Sequence, residues 1–380
     1  MATKGEASQF HNCPGTEAMK MQQRKSKRAA LCIGLIAAGL FSAFASERVQ
    51  VVRTPNNGAV PDAEVDKSGT VHVAFVAGQD AFYAASGDNG KTFSTPLRIN
   101  SEPDSVHPPN MFRGPDLALG KDGRVHVIWY GNGYQRKLPP DQWGVFYSHF
   151  DPKQNAFAPA RNLNHKPSDN YSLAADENGD VAVIWMAKRL FVNVSRDNGG
   201  TFADAESVPV ADPCECCASR AFYSKDGTLY IDYREKANNM RDMHLLSRAH
   251  GDATFSKQKI SSTPWQVNAC PMAGTSLAAA KNGLVMAWET KGQIFYARLG
   301  PASGLLQPKE IKASVKGKWP MALAAPDGTV LVSWKNGSTL AWQLYDSSDR
   351  PLGPSESEPG RNVHRHGGVV TRSGNFLLID

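Results

Sequence analysis

The chain has 380 residues, 41% of them hydrophobic, with 42 Lys and Arg against 36 Asp and Glu, a formal net charge of +6. That length holds a large core. No dense basic run follows Arg28, so the charge balance points away from a nucleic-acid or anionic-membrane surface.

The chain opens as a leader rather than a domain. Residues 24–28 are basic, residues 29–45 form an apolar run of 17, and Ala43-Phe44-Ala45 reads as an A-x-A cleavage site. Residues 1–45 are therefore expected to be a signal-peptide region, with Met19 or Met21 as alternative starts. A run of 17 is at the lower edge of a membrane span, so an anchor is the competing reading. Cys32 sits too early in the run for a lipoprotein cysteine. Cleavage would lower the formal charge to about +2 and leave no stable membrane insertion. The expected location is the periplasm or the extracellular space, where Cys214, Cys216, Cys217 and Cys270 are free to form disulfides.

Residues 46–55, SERVQVVRTP, read as one strand ending at a proline. A turn-plus-strand unit then recurs, beginning DKSGTVHVAFV and ending TRSGNFLLID. Its glycines are Gly69, Gly123, Gly179, Gly227, Gly283, Gly328 and Gly374, at spacings of 54, 56, 48, 56, 45 and 46. A period near fifty with short strands predicts an all-β propeller, because a four-stranded sheet with two apolar faces must lie between neighbours. The blades are expected over residues 57–100, 109–163, 171–208, 216–260, 273–311 and 320–352. Residues 131–144 form a long insertion in the second. Residues 366–380 supply only two strands of a last blade, which the strand at 48–53 would complete. Seven blades are favoured, and the incomplete last copy leaves six as the alternative count. The whole of 46–380 reads as one domain.

Ser86–Phe93 (SGDNGKTF) and Ser195–Phe202 (SRDNGGTF) share one signature, with a decayed copy at 247–255. On these residues the chain resembles the sialidase-like, Asp-box or BNR-repeat β-propeller family over nearly all of its expected mature length. The box is a fold marker in that family, found in enzymes and non-enzymes alike. The resemblance also implies a test for exo-sialidase chemistry: an arginine triad for a carboxylate, a Tyr–Glu nucleophile pair and an Asp acid/base. Only fragments match. Arg53-Thr54-Pro55 resembles the family's Arg-Ile-Pro opening, Arg113 and Arg220 enter later blades, and Arg365 is a weaker third. Tyr134 and Tyr171 lack an evident Glu partner, and nothing singles out Asp62 as the acid. No catalytic residue is assigned.

Counting back from each repeat glycine aligns the segments that enter each blade. Cys214 and Cys270 both lie 13 residues before their glycines, Cys216 and Met272 both 11. Cys217 and His364 lie 10 before, His366 8 and Met321 7. These side chains are expected on the entry side of blades four to seven, near the axis, with Met240 and Met243 on the same face. Thiolate, thioether and imidazole together suit Cu(I) first and Zn(II) second. That makes an axial metal site in a non-hydrolytic binding protein the leading expectation, with no organic cofactor. Two alternatives stand beside it: disulfides, with Cys214 or Cys216 bonded to Cys270 to staple blade four to blade five, or redox-active thiols. A disulfide-stapled carbohydrate- or protein-binding module, with Trp143, Trp265, Trp319 and Tyr134 as stacking surfaces, is the third functional class.

Overall fold

A computed structural model describes residues 48–111, 113–300 and 308–380. The leader expected over 1–45 lies outside the described residues. Among the described residues, no helix is long and apolar enough to cross a membrane.

Seven sheets follow one another along the chain. Their first strands are Ala59–Val65, Asp116–Leu119, Asp169–Ala175, Ala221–Tyr223, Thr275–Ala280, Lys318–Ala324 and Gly367–Val370. In blades one to six the strands pair antiparallel, and in all seven the first strand lies at one end of its sheet. The architecture is a seven-bladed β-propeller. The count of seven is met because the last blade, Gly367–Val370 and Phe376–Ile379, borrows Val49–Val52 as its third strand. That pairing is parallel, with Val49 opposite Phe376 and Val52 opposite Ile379. A backbone bond from Thr54 N–H to the Asp380 carbonyl (3.0 Å) continues it.

The second strands are mostly apolar and buried on both faces, as in Val71–Ala77, Val125–Tyr130 and Val181–Ala187. These runs fill the seams between blades. Trp129, Trp185 and Trp288 are each no more than 1% exposed there. The turns that feed these strands carry the repeat glycines, and all seven adopt positive φ, which glycine alone tolerates freely. In the two intact Asp-boxes, Asp88 accepts the Thr92 N–H (2.9 Å) and Asp197 the Thr201 N–H (2.7 Å). Phe202 then meets Tyr147 of the neighbouring blade edge-on at 4.9 Å. The box is therefore a turn lock with an aromatic wedge.

The entry ends of the first strands carry the irregularity. Blades one, three and six shift register there, and Val60, Asn170 and Trp319 at the shifts all have positive φ. Such bulges re-aim the side chains that follow. Gly114 faces the bulge at Val60, and a Cβ on it would stand 2.6 Å from the Val60 carbonyl oxygen. Close backbone approach between adjacent blades thus needs glycine at that position.

Candidate functional site at the entry face

Cys214, Cys216 and Cys217 lie in a turn that enters blade four, and Cys270 lies in the segment that enters blade five. The turn is held tightly. Cys214 N–H donates to the Arg234 carbonyl (2.7 Å), Cys217 N–H to the Cys214 carbonyl (3.1 Å), and Ala218 N–H to the Ala273 carbonyl (3.0 Å). The Asn170 side-chain amide of blade three donates to the carbonyls of Glu215 and Cys217. Cys214, Cys217, Trp265 and Ala273 form a small apolar cluster, and the Arg234 guanidinium stacks over Trp265 at 5.0 Å.

The four cysteines converge, as the count from the glycines predicts, but not as a metal site. Cys216 and Cys270 form a disulfide, with Cα atoms 6.2 Å apart, and Cys214 and Cys217 are free thiols. The sulfurs of Cys214, Cys216 and Cys217 lie within 4.8 Å of one another. However, the Cys216 and Cys270 sulfurs are spent on each other and cannot serve as thiolate ligands. The expectation of an axial Cu(I) or Zn(II) site built on Cys214, Cys216, Cys217 and Cys270 is therefore corrected to a staple between blades four and five. The remaining candidates do not complete it. His366 is buried with Nε2 2.7 Å from Ser333 Oγ, at the seam of blades six and seven. A Cβ on Gly368 would come 3.0 Å from Met321 Sδ, which places Met321 at that same seam. Met272 is 38% exposed, and the His364 backbone N–H bonds Asn362 Oδ1.

The free thiols differ from each other. A hydrogen bond from Cys217, with Arg241, Arg234 and Lys236 nearby, draws the Cys214 thiol down to about 7. Burial, and the same contact with Cys214, push Cys217 well up.

The three arginine candidates are each bound by an internal carboxylate. Arg53 pairs with Asp380 (3.0 Å) and donates to the Pro359 carbonyl (2.7 Å). Arg113 pairs with Asp169, and Arg220 with Asp116 at 2.6 Å. Arg365 reaches the same Asp116 carboxylate at 2.8 Å and the Pro115 carbonyl at 2.9 Å. Burial opposes the charge on Asp116, but the two guanidiniums outweigh it and hold the carboxyl below its usual range. Asp62 lies beside this group, 3.9 Å from Arg365, and burial with the Asp116 charge raises its carboxyl. Tyr171 donates to the Gly114 carbonyl (2.9 Å), and burial, with Asp116, raises its hydroxyl. It is a structural donor here rather than an activated nucleophile.

Sequence reasoning did not single out Asp116 or Asp232. Asp232 interrupts a buried apolar strand, Leu229–Arg234, and that interruption is the signal it left. Its carboxylate accepts the Arg220 N–H and the Thr275 hydroxyl, both at 2.9 Å, tying blade four to blade five. Burial pushes its carboxyl up to about 7. The folded protein then keeps a proton that the unfolded chain releases near pH 4. Its contribution to stability is fully present below about pH 4 and is lost as pH rises through about 7. Asp232→Asn keeps the neutral form, with the new amide donating to Thr275. Urea unfolding should find the variant on the order of 2–4 kcal/mol more stable than the parent at pH 8, with the gap closing toward pH 4.

The aromatic candidates divide. Trp265 and Trp319 are buried at 9% and 8% exposure. Trp143 is half-buried with its indole N–H on the Leu138 carbonyl (2.8 Å), and Tyr134 stands 75% exposed with its ring edge-on to Trp143 at 5.9 Å. Tyr134, Met272, Val315 and Val363 are the exposed large apolar side chains among the described residues, and all four lie on entry-side loops. On the same face, an open cleft of about 480 Å³ separates the entry segments of blades one and seven. Asn57, Gly58, Ala59, Arg361, Asn362 and His364 line it.

No family model and no curated protein matches the sequence. Among solved structures, a protein of unknown function from Dyadobacter fermentans is similar over 81% of this chain and 95% of its own, at 16% identity and a TM-score of 0.52. The Hadza microbial sialidase Hz136 (13% identity, 72% of this chain and 62% of that one) has a TM-score of 0.49. A polysaccharide lyase of family PL25, an ulvan lyase (13% identity, 82% and 87%), has one of 0.48. Identities this low speak to fold alone, and the chain is a seven-bladed β-propeller that resembles the sialidase-like, BNR-repeat folds.

Proposed function

We propose that the chain is an exported, disulfide-stapled propeller that binds carbohydrate on its entry face and does not hydrolyse it. The observation that carries this reading is the cleft between blades one and seven. Its amides, guanidinium and imidazole suit sugar hydroxyls and acidic sugar groups, and no carboxylate is among its lining residues. The arginines that a sialidase would turn toward a substrate carboxylate are bonded to Asp380, Asp169 and Asp116 instead. The Cys216–Cys270 disulfide supports an oxidising compartment, periplasmic or extracellular. A protein ligand is the second reading, favoured by the gathering of Tyr134, Met272, Val315 and Val363 on one face.

Equilibrium binding to neutral and uronic-acid oligosaccharides tests the first reading. Arg361→Ala should weaken binding of the acidic sugar by about tenfold, worth about 1.4 kcal/mol. Sialosides should show no release of sialic acid. Turnover that disappears in Arg220→Ala or Arg113→Ala would replace binding with hydrolysis.

A further inference from the structure

Two oxidation states of sulfur lie in contact at the seam of blades four and five. The Cys214 sulfur is 3.7 Å from that of Cys216, which is disulfide-bonded, and 3.0 Å from that of Cys217, which is free. Cys214 and Cys217 are buried at 2% and 1% exposure, while Cys270, at the other end of the disulfide, is exposed. A disulfide with one cysteine exposed and the sulfur of the other against a thiol is arranged for exchange.

We propose that the four cysteines form a thiol–disulfide relay, in which the Cys214 thiolate attacks the Cys216 sulfur and the disulfide passes from Cys216–Cys270 to Cys214–Cys217. In the first step the Cys214–Cys216 bond forms, the Cys216–Cys270 bond breaks, and Cys270 leaves as a thiolate. In the second, the Cys217 thiolate attacks Cys214, the Cys214–Cys217 bond forms, and Cys216 leaves. Two bonds form and two break. The protons given up by Cys214 and Cys217 are taken up, through solvent, by Cys216 and Cys270. No external oxidant or reductant is consumed, so the conversion is an isomerisation.

The surroundings favour Cys214 as the attacking sulfur. The Arg234 guanidinium is fully buried beside the cluster, and Arg241 donates to the Ala269 carbonyl next to Cys270 (3.0 Å). Positive charge therefore lies near the attacking sulfur. The consequence is a staple that can open without loss of oxidation. Blades four and five would be released at Cys216–Cys270, and a pair of thiols would face the solvent side, ready to exchange with a disulfide-bearing protein of the same compartment. The relay does not depend on what the cleft between blades one and seven binds.

The test uses the purified full chain carrying the Cys216–Cys270 disulfide, with Cys13 and Cys32 replaced by Ser so that neither supplies a thiol, in buffer free of any small thiol. It is incubated with N-ethylmaleimide, quenched in acid, and its labels and disulfides are mapped by mass spectrometry. The expected result is labelling of Cys216 and Cys270 together with a new Cys214–Cys217 disulfide. In Cys214→Ser, labelling of Cys270 should fall at least tenfold. Cys217→Ser, a separate variant should Cys214→Ser fail to fold, should stop at Cys214–Cys216 with only Cys270 labelled. Retention of Cys216–Cys270 with label confined to Cys214 and Cys217 would overturn the relay. So would equal Cys270 labelling in the parent and in Cys214→Ser.

Discussion

Asp116→Ala is expected to remove about 3–5 kcal/mol of folding free energy, a cost typical of breaking a buried ion pair from one side. The carboxylate is 4% exposed and serves two guanidiniums, Arg220 from blade four and Arg365 from blade seven. Removing it leaves two cations whose own side chains are 18% and 6% exposed. Arg365 keeps the Pro115 carbonyl, whereas Arg220 loses the only side-chain acceptor of its guanidinium among the described residues. Asp116→Asn preserves an acceptor but not the charge, and should fall between the parent and the Ala variant. Asp116→Leu combined with Arg365→Met should recover part of the loss, because apolar side chains of similar size replace buried charge without a large penalty. The pH dependence has a definite sign. A carboxyl held below its unfolded value stabilises fully above that value, near pH 4, and loses its effect as pH falls through the lower folded value. Acid unfolding of the parent should therefore steepen below about pH 4, and the Ala variant should lack that step. Chemical denaturation across pH measures both effects, and an Ala variant as stable as the parent would remove Asp116 from the structural account of the axis.

The blades were readable because their cause is local. Each repeat glycine sits where a tight turn requires positive φ, and each following strand is apolar on both faces because it has a neighbour on both sides. Closure by the strand at 48–53 was readable too, since residues 366–380 offered two strands where a blade needs more. Its direction was not, because an alternating pattern is the same read either way. The meeting of Cys214 and Cys216 with Cys270 followed from counting residues back to the glycine. The state of the sulfurs did not follow, because thiolate ligation and disulfide bonding ask for the same residue type gathered at one place in the fold. The partner of His366 was not legible either. His366 and Ser333 share a seam that residue type alone cannot distinguish from an axial position. Asp116 was invisible because its partners are 104 and 249 residues away, and a single Asp at a strand start has no pattern.

Removal of the closing strand should have the second large effect. Deleting residues 48–54 takes Val49–Val52 away from Phe376–Ile379, whose four side chains are each 0% exposed. The loss includes the bonds from Phe376 N–H to the Arg48 carbonyl (2.8 Å), from Asp380 N–H to the Val52 carbonyl (3.0 Å) and from Thr54 N–H to the Asp380 carbonyl (3.0 Å). At about 1 kcal/mol for each hydrogen bond, with exposure of apolar surface added, the loss is on the order of 5 kcal/mol. It also leaves the last blade with two strands and an open edge, so the truncated chain should self-associate more readily than the parent. A milder variant separates the strand from the ion pairs beneath it. Asp380 receives the ammonium of Lys335, which is 0% exposed, together with Arg53 and the Arg361 N–H (2.7 Å). Asp380→Ala leaves Lys335 as a buried cation and should cost about 3–5 kcal/mol without touching the strand. Adding Lys335→Met should return much of that loss, whereas it should return little in the deletion, where the edge itself is missing. Thermal melting with light scattering on the four variants reads both quantities. Native-like melting of the deletion, with no added association, would show that blade seven holds its place without the N-terminal strand and that the ring is closed by side-chain packing alone.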